Sequence, residues 1–265
     1  MNAAPIGIFD SGIGGLTVAR AIFEHLPAES TIYYGDTARV PYGPKSPDTV
    51  RRYSREIHAW LLEQRVKAVV IACNTSTAHA LTDLQGISPV PVIGVIEPGS
   101  RAAVAASRSA IGVIGTAGTI TSEAYPRAIR TRKPDARVSQ AACPLFVPFV
   151  EEGWFDHPSL ELVAREYLAP LTETGMDALV LGCTHYPLIK PLLQRVLGQD
   201  VRLIDSAEET ARALGEILQR EGLQAPTAAK ATHRFVVSDD EARFRTVGAR
   251  FIGARLDRAE VVPVG

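Results

Sequence analysis

Ile6-Gly7-Ile8-Phe9-Asp10-Ser11-Gly12 is a short apolar run ending in an acid and a glycine turn, and Ile111-Gly112-Val113-Ile114-Gly115-Thr116-Ala117-Gly118 repeats its form. Runs this short and continuously apolar read as parallel strands covered on both faces; half-exposed strands would alternate. A second echo stands beside the first. Val69-Val70-Ile71-Ala72-Cys73-Asn74-Thr75 is matched by Leu179-Val180-Leu181-Gly182-Cys183-Thr184-His185. Each half has the same order, with a glycine-rich strand end first and a cysteine strand end later. The pattern predicts an α/β fold of two pseudo-symmetric domains with mainly parallel sheets.

Working outward, Thr31-Ile32-Tyr33-Tyr34, Val92-Ile93-Gly94-Val95, Val201-Arg202-Leu203-Ile204 and Phe235-Val236-Val237 are further strand candidates. Helical patterns lie between them. Ser46 is expected to cap a helix with Pro47 in its first position, after which Val50, Tyr53, Ile57, Trp60 and Leu61 recur at helical spacing. A later helix is expected to start at Ser206, with Glu209 as its capping-box partner. The stretch from Gly94 to Gly99 is the expected crossing between the halves.

The composition narrows the class. With 265 residues, 46% hydrophobic and 22% charged, the chain is an ordinary globular protein, not a disordered, collagenous or coiled-coil one. Twenty-eight basic and 29 acidic residues leave a net charge of −1, which argues against nucleic acid or an anionic membrane as the main partner. Cys73, Cys143 and Cys183 are too few and too scattered for a disulfide framework. Met1-Asn2-Ala3-Ala4-Pro5 lacks the charged head and apolar run of a signal peptide. No apolar stretch approaches the ~20 residues of a membrane span. The expectation is a soluble, cytoplasmic enzyme acting on a small molecule.

Cys73 and Cys183 are the first candidates for chemistry. Each follows an apolar run, which places its thiol at the carboxyl edge of a sheet, where open α/β folds bind ligands. A single buried cysteine would read as a small hydrophobe; two at matching places point to a site. Cys143, in Ala141-Ala142-Cys143-Pro144-Leu145, has no polar neighbour and reads as structural. Three chemistries are open to two facing thiols. A redox pair lacks the Cys-x-x-Cys spacing. Zinc binding with His185 lacks close cysteine pairs and an evident fourth ligand. The third is opposed acid/base work: a thiolate takes a proton from one side of a carbon and a thiol supplies one to the other, as stereoinversion requires. Asp10-Ser11-Gly12-Ile13-Gly14-Gly15 is not a P-loop, and Thr17 stands where a dinucleotide fingerprint needs its last glycine. It reads either as a capped turn or as a backbone cradle for a carboxylate or phosphate. His185, two places from Cys183, is either a satisfied structural histidine or a group that orients the thiol and lowers its pKa. Gly112, Gly115 and Gly118 leave a nicotinamide dehydrogenase as one rival, and a two-lobed amino-acid-binding module is another.

Six stretches together resemble the glutamate racemases of the aspartate/glutamate racemase superfamily. They are Phe9–Thr17, Asp36–Gly43, Ala72–Thr75, Gly94–Gly99, Val150–Gly153 and Gly182–Pro187, and the likeness runs from about Ile6 to near Phe251. The resemblance implies a cofactor-independent two-base interconversion of L- and D-glutamate, with Cys73 acting on the D-enantiomer and Cys183 on the L-enantiomer. It implies that Asp10 and His185 assist the thiols, with Glu152, in preference to its neighbour Glu151, as a further supporting acid. Substrate contacts would come from Asp10, Ser11, Tyr42, Gly43, Asn74, Thr75, Thr184 and His185. It also implies an interdomain cleft between residues 1–96 plus 207–265 and residues 97–206, a homodimer, and a role supplying D-glutamate for peptidoglycan. Without pyridoxal chemistry the weakly acidic α-hydrogen calls for a closed, water-poor site with preorganised hydrogen bonds. Aspartate and hydantoin racemases are relatives with other substrates; Asp10-Ser11-Gly12 favours glutamate.

Overall fold

A computed structural model describes residues 2–226, 230–252 and 256–265. Its strands are β1 (Ile6–Asp10), β2 (Thr31–Gly35), β3 (Ala68–Ile71), β4 (Val92–Gly94), β5 (Ala110–Gly115), β6 (Arg137–Ala142), β7 (Met176–Gly182), β8 (Arg202–Ile204), β9 (His233–Val237) and β10 (Glu260–Val261). They form two sheets, in the orders β10-β9-β2-β1-β3-β4 and β6-β5-β7-β8, and every pairing is parallel. The order β2-β1-β3-β4 in the first sheet is reproduced by β6-β5-β7-β8 in the second. The two sequence echoes therefore fall on topologically equivalent strands, β1 with β5 and β3 with β7. The last strands, β9 and β10, return to the first sheet beside β2.

The continuous apolar runs have the cause expected of them. Ile6 and Ile8 of β1 face one core while Phe9 faces another, and Val70 and Val69 of β3 divide the same way. In the second sheet Ile114 and Leu181 share the core of Ile6 and Ile8, whereas Val113 and Val180 face a separate cluster with Tyr125. One apolar layer thus runs unbroken between the two sheets. Each fully buried aliphatic side chain in it contributes about 1.5–3 kcal/mol. Among the described residues no helix is long and apolar enough to cross a membrane.

Local expectations met mixed outcomes. Ser46 caps the helix Pro47–Glu63, its hydroxyl accepting from Thr49 N–H at 3.3 Å, with Pro47 first. The helix Ser206–Arg220 is capped by Asp205 instead, whose carboxylate accepts from Ala207 N–H at 2.9 Å; Ser206 is inside the helix and buried. A charged acceptor one place earlier serves the same orphan amides, so the cap moves back. The crossing at Gly94–Gly99 is the start of the helix Ile96–Ala106, which carries the chain to the second sheet. β6 escaped the sequence reading because this edge strand, Arg-Val-Ser-Gln-Ala-Ala, is partly exposed and has no apolar run.

Candidate active site

The carboxyl ends of β1, β3, β5 and β7 converge on one small cavity. Ser11 and Gly12 follow β1, Cys73 to Thr75 follow β3, Thr116 follows β5, and Cys183 to His185 follow β7; all line it, with Tyr42 and Gly43 from the loop ahead of the helix Pro47–Glu63. This is the carboxyl-edge location expected of an α/β ligand site, supplied here by two sheets at once. Both thiols are buried and free, and both face the cavity.

Cys73 sits at the N-cap of the helix Asn74–Ile87, where Sγ accepts from Ser76 N–H at 3.4 Å. Burial pushes its thiol up to about 11, the Asp10 charge adds to the rise, and hydrogen bonds from Ser76 and Ser11 oppose it. Asp10 is itself buried at the end of β1. One carboxylate oxygen accepts from Gly12 N–H at 2.9 Å, and the other, Oδ1, has no hydrogen-bond partner among the described residues. Burial raises its pKa, against the lowering effect of His185 and the amides of Gly12, Gly15 and Ser11.

Cys183 is built differently. Its Sγ lies 3.9 Å from Nδ1 of His185, and Nε2 of the same ring lies 3.1 Å from Glu151 Oε1. Burial by itself lowers the imidazole pKa; hydrogen bonds to Cys183 and Glu151 outweigh it and raise His185 to about 10. Glu151 is also buried enough to be pushed up, yet His185 and Arg243 hold it below the usual carboxylate range. Arg243 Nη2 donates to Glu151 Oε2 at 3.1 Å. The acid that meets His185 is therefore Glu151. Glu152 departs from expectation: its side chain is 65% exposed, and the ion pair it makes is a 3.9 Å approach to Arg243. Glu151 is the last residue of the helix Phe146–Glu151, and one further residue turns the side chain away from the cleft.

The remaining predicted contacts fall around the two thiols. Asn74 Oδ1 accepts from the Tyr125 hydroxyl at 2.7 Å, which leaves the buried Nδ2 without a partner among the described residues and free to donate to a ligand. The Thr75 and Thr116 hydroxyls are 2.8 Å apart, so a residue after β3 is tied to one after β5. Tyr42 is buried and donates to Asp36, which also accepts from Arg39 at 2.7 Å and Ser238 at 2.8 Å; this network fixes the loop carrying Gly43. Thr184 places its carbonyl 3.2 Å from the Thr17 hydroxyl. The amino end of the helix Asn74–Ile87 meets the cavity at Cys73, Asn74 and Thr75, giving an anionic ligand the positive end of a helix.

Sequence reading did not single out Thr116, Val147 or Arg243, and it ranked Glu151 behind its neighbour Glu152. Thr116 had a signal, since it holds in the second echo the place of Ser11 in the first. Gly112, Gly115 and Gly118 prove to be packing glycines: a methyl on Gly112 would strike Met176, one on Gly115 would meet Gly182 O at 3.1 Å, and one on Gly118 would meet Gly43 O at 2.8 Å.

Comparison with known proteins gives one answer. The family described as Asp/Glu/Hydantoin racemase matches residues 6–214. A glutamate racemase of Geobacter metallireducens is 55% identical over 252 residues, covering 95% of this chain and 93% of that protein. The crystal structure of a glutamate racemase from Bacillus anthracis superimposes with a TM-score of 0.94 at 41% identity, covering 100% of this chain and 98% of that one. Another, from Francisella tularensis in complex with D-glutamate, does so with a TM-score of 0.93 at 40% identity, covering 99% of this chain and 98% of that one. A family match over most of the sequence, and relatives this similar from end to end, make the chain a member of the Asp/Glu/hydantoin racemase family, enzymes of the isomerase class.

Proposed function

We propose that this enzyme interconverts L- and D-glutamate by two-base proton transfer between Cys73 and Cys183, without an organic cofactor. The observation that carries the reading is that both thiols open into one cavity from equivalent strand ends, each beside its own acid/base neighbour. A thiolate removes the α-hydrogen as a proton. The electron pair left behind spreads from the α-carbon into the substrate carboxylate, and the opposite thiol returns a proton to the other side. The product is the mirror image, and the two sulfurs have exchanged protonation states. Asp10 serves Cys73, and His185 with Glu151 serves Cys183; by the family likeness Cys73 handles the D-enantiomer and Cys183 the L-enantiomer. Asn74 Nδ2, the Thr75 and Thr184 hydroxyls and the amides after β1 and β3 supply donors for the carboxylates. Tying Thr75 to Thr116 and Thr17 to Thr184 lets the two lobes close as one body and exclude water.

Relatives named as glutamate racemases, and one solved in complex with D-glutamate, support glutamate as the substrate. The same reading makes the enzyme a cytoplasmic homodimer that supplies D-glutamate to peptidoglycan synthesis. The deciding measurement is incubation of the pure protein with L-glutamate in D2O, following optical rotation and α-hydrogen loss together. Rotation falling to zero as deuterium enters the α-position is the expected result. A folded protein that leaves both signals unchanged would refute the reading and move the search to aspartate.

A further inference from the structure

The helix Glu241–Ile252 follows β9 and packs on the first sheet, where Phe244 lies with its ring centroid 5.9 Å from that of Tyr33. Three of its residues nonetheless reach the second lobe at one point. Arg243 Nη2 donates to Glu151 Oε2 at 3.1 Å. Arg250 donates to the main-chain oxygen of Glu151. The Phe251 ring stands edge-on to His185, with centroids 5.6 Å apart and planes at 86°. Glu151 thus spends one oxygen on Arg243 and the other on His185, and His185 continues the line to Cys183.

We propose that Arg243 is a positioning residue for proton transfer at Cys183, holding the Glu151 carboxylate so that His185 presents Nδ1 to the thiol when the lobes are together. The proposal rests on the two-thiol reading above. A carboxylate gripped at both oxygens cannot rotate about its last torsion, so the imidazole it accepts from is held as well. With Arg243 gone, the Glu151 side chain, already 22% exposed, turns to water. Glu152 does not replace it, because its own carboxylate is turned out of the cleft. Among the described residues no hydrogen bond or ion pair joins Cys73 or Asp10 to this helix, and Asp10 is held locally by Gly12 N–H. Arg243 therefore acts on Cys183 through direct contacts and on Cys73 only through the charge His185 presents to Asp10, an imbalance that a general loss of structure would not produce.

Loss of overall rate cannot report this. L- and D-glutamate have equal free energies, so any variant loses kcat/KM equally in both directions. The informative quantity is the α-deuterium isotope effect on kcat/KM, measured from each enantiomer. In Arg243→Gln, kcat falls roughly tenfold, the usual worth of a hydrogen bond between charged groups. The step at Cys183 then dominates. The isotope effect rises for the enantiomer that Cys183 deprotonates, L-glutamate by the assignment above. It falls for the other, whose labelled hydrogen leaves at Cys73 before the slow step. Arg243→Lys, which keeps a cationic donor, restores the wild-type pair of values.

Opposite shifts for the two enantiomers in Arg243→Gln, reversed in Arg243→Lys, support the proposal. Unchanged values, shifts of the same sign, or a lysine variant as altered as the glutamine one overturn it. Arg243 is half exposed, so neither substitution opens the core. The wild-type control separates the two readings: if it racemises no glutamate, the proposed reaction is wrong whatever Arg243 does.

Discussion

A methyl group placed on Gly14 would meet Cε1 of His185 at 2.5 Å, and would come closer still to Nδ1 of that ring and to the Thr184 hydroxyl. The turn after β1 therefore presses bare backbone against the residues beside Cys183, and a side chain there must push the imidazole away. Gly14→Ala is expected to cut kcat/KM by about a hundredfold, the usual penalty for a displacement of that order at a reacting centre. Gly86→Ala is the control, since nothing lies within 4 Å of a methyl there. That change, near the end of a helix, should leave activity alone and stabilise by at most ~1 kcal/mol. Steady-state kinetics and thermal unfolding on both variants check this; wild-type activity in Gly14→Ala would show that His185 need not stay in place.

Cys73→Ser and Cys183→Ser should each lose racemisation by about 10²–10⁴, since a serine hydroxyl is a far weaker acid than a thiol. Cys143→Ser should keep most activity, because that thiol is a core residue whose Sγ lies 3.8 Å from Ala141 O. Circular dichroism at matched concentration secures the comparison of the three variants. Full turnover in either of the first two would remove the two-thiol assignment.

Asp10→Asn separates stability from chemistry. The carboxylate is buried with one oxygen unpaired, so an amide keeps the Gly12 bond and removes a charge that burial disfavours. The variant should unfold no earlier than wild type yet turn over ~10²-fold more slowly. Asp10 also helps to raise the Cys73 thiol towards about 11. Removing its charge lowers that pKa and enlarges the thiolate fraction at neutral pH, so Cys73 should alkylate faster in the variant. Slower alkylation by iodoacetamide, read by peptide mass, would contradict the electrostatic picture.

His185 gives a dependence of stability on pH. Its pKa is raised from 6.5 to about 10 in the folded protein, so the folded state binds the proton more tightly than the unfolded chain. Its contribution is complete below 6.5 and fades as the pH climbs to about 10. Denaturant unfolding of wild type and His185→Asn should therefore differ most in mildly acidic solution, and the gap should close across that window. A gap that widens with rising pH would mean that the imidazole is neutral in the folded state.

The repeat of glycine and cysteine strand ends was enough to place Asp10, Ser11, Cys73, Thr75, Cys183 and His185 on equivalent or neighbouring edges, because strand polarity and the βα turn dictate where those residues emerge. Glu151 could not be told from Glu152 in the same way. Which of two adjacent acids points inward depends on where the helix Phe146–Glu151 ends, and nothing in Val150-Glu151-Glu152-Gly153 marks that residue. Arg243 was invisible for a related reason. It lies in a helix whose polar residues read as a solvated surface, and its partner is supplied by the other lobe. β6 went unseen because an exposed edge strand has no need of an apolar run.

The return of β9 and β10 to the first sheet bears on how the molecule is made. The strands of the second sheet occupy one unbroken stretch, from Ala110 to Ile204, and can pair as soon as that stretch leaves the ribosome. The first sheet cannot be completed then, for β2 must wait for β9, which is synthesised about two hundred residues after it. The helix bearing Arg243 comes later still. The nascent protein therefore holds Cys73 and Cys183 well before it holds the segment that carries Arg243, and the contact between Arg243 and Glu151 is among the last that its biosynthesis allows.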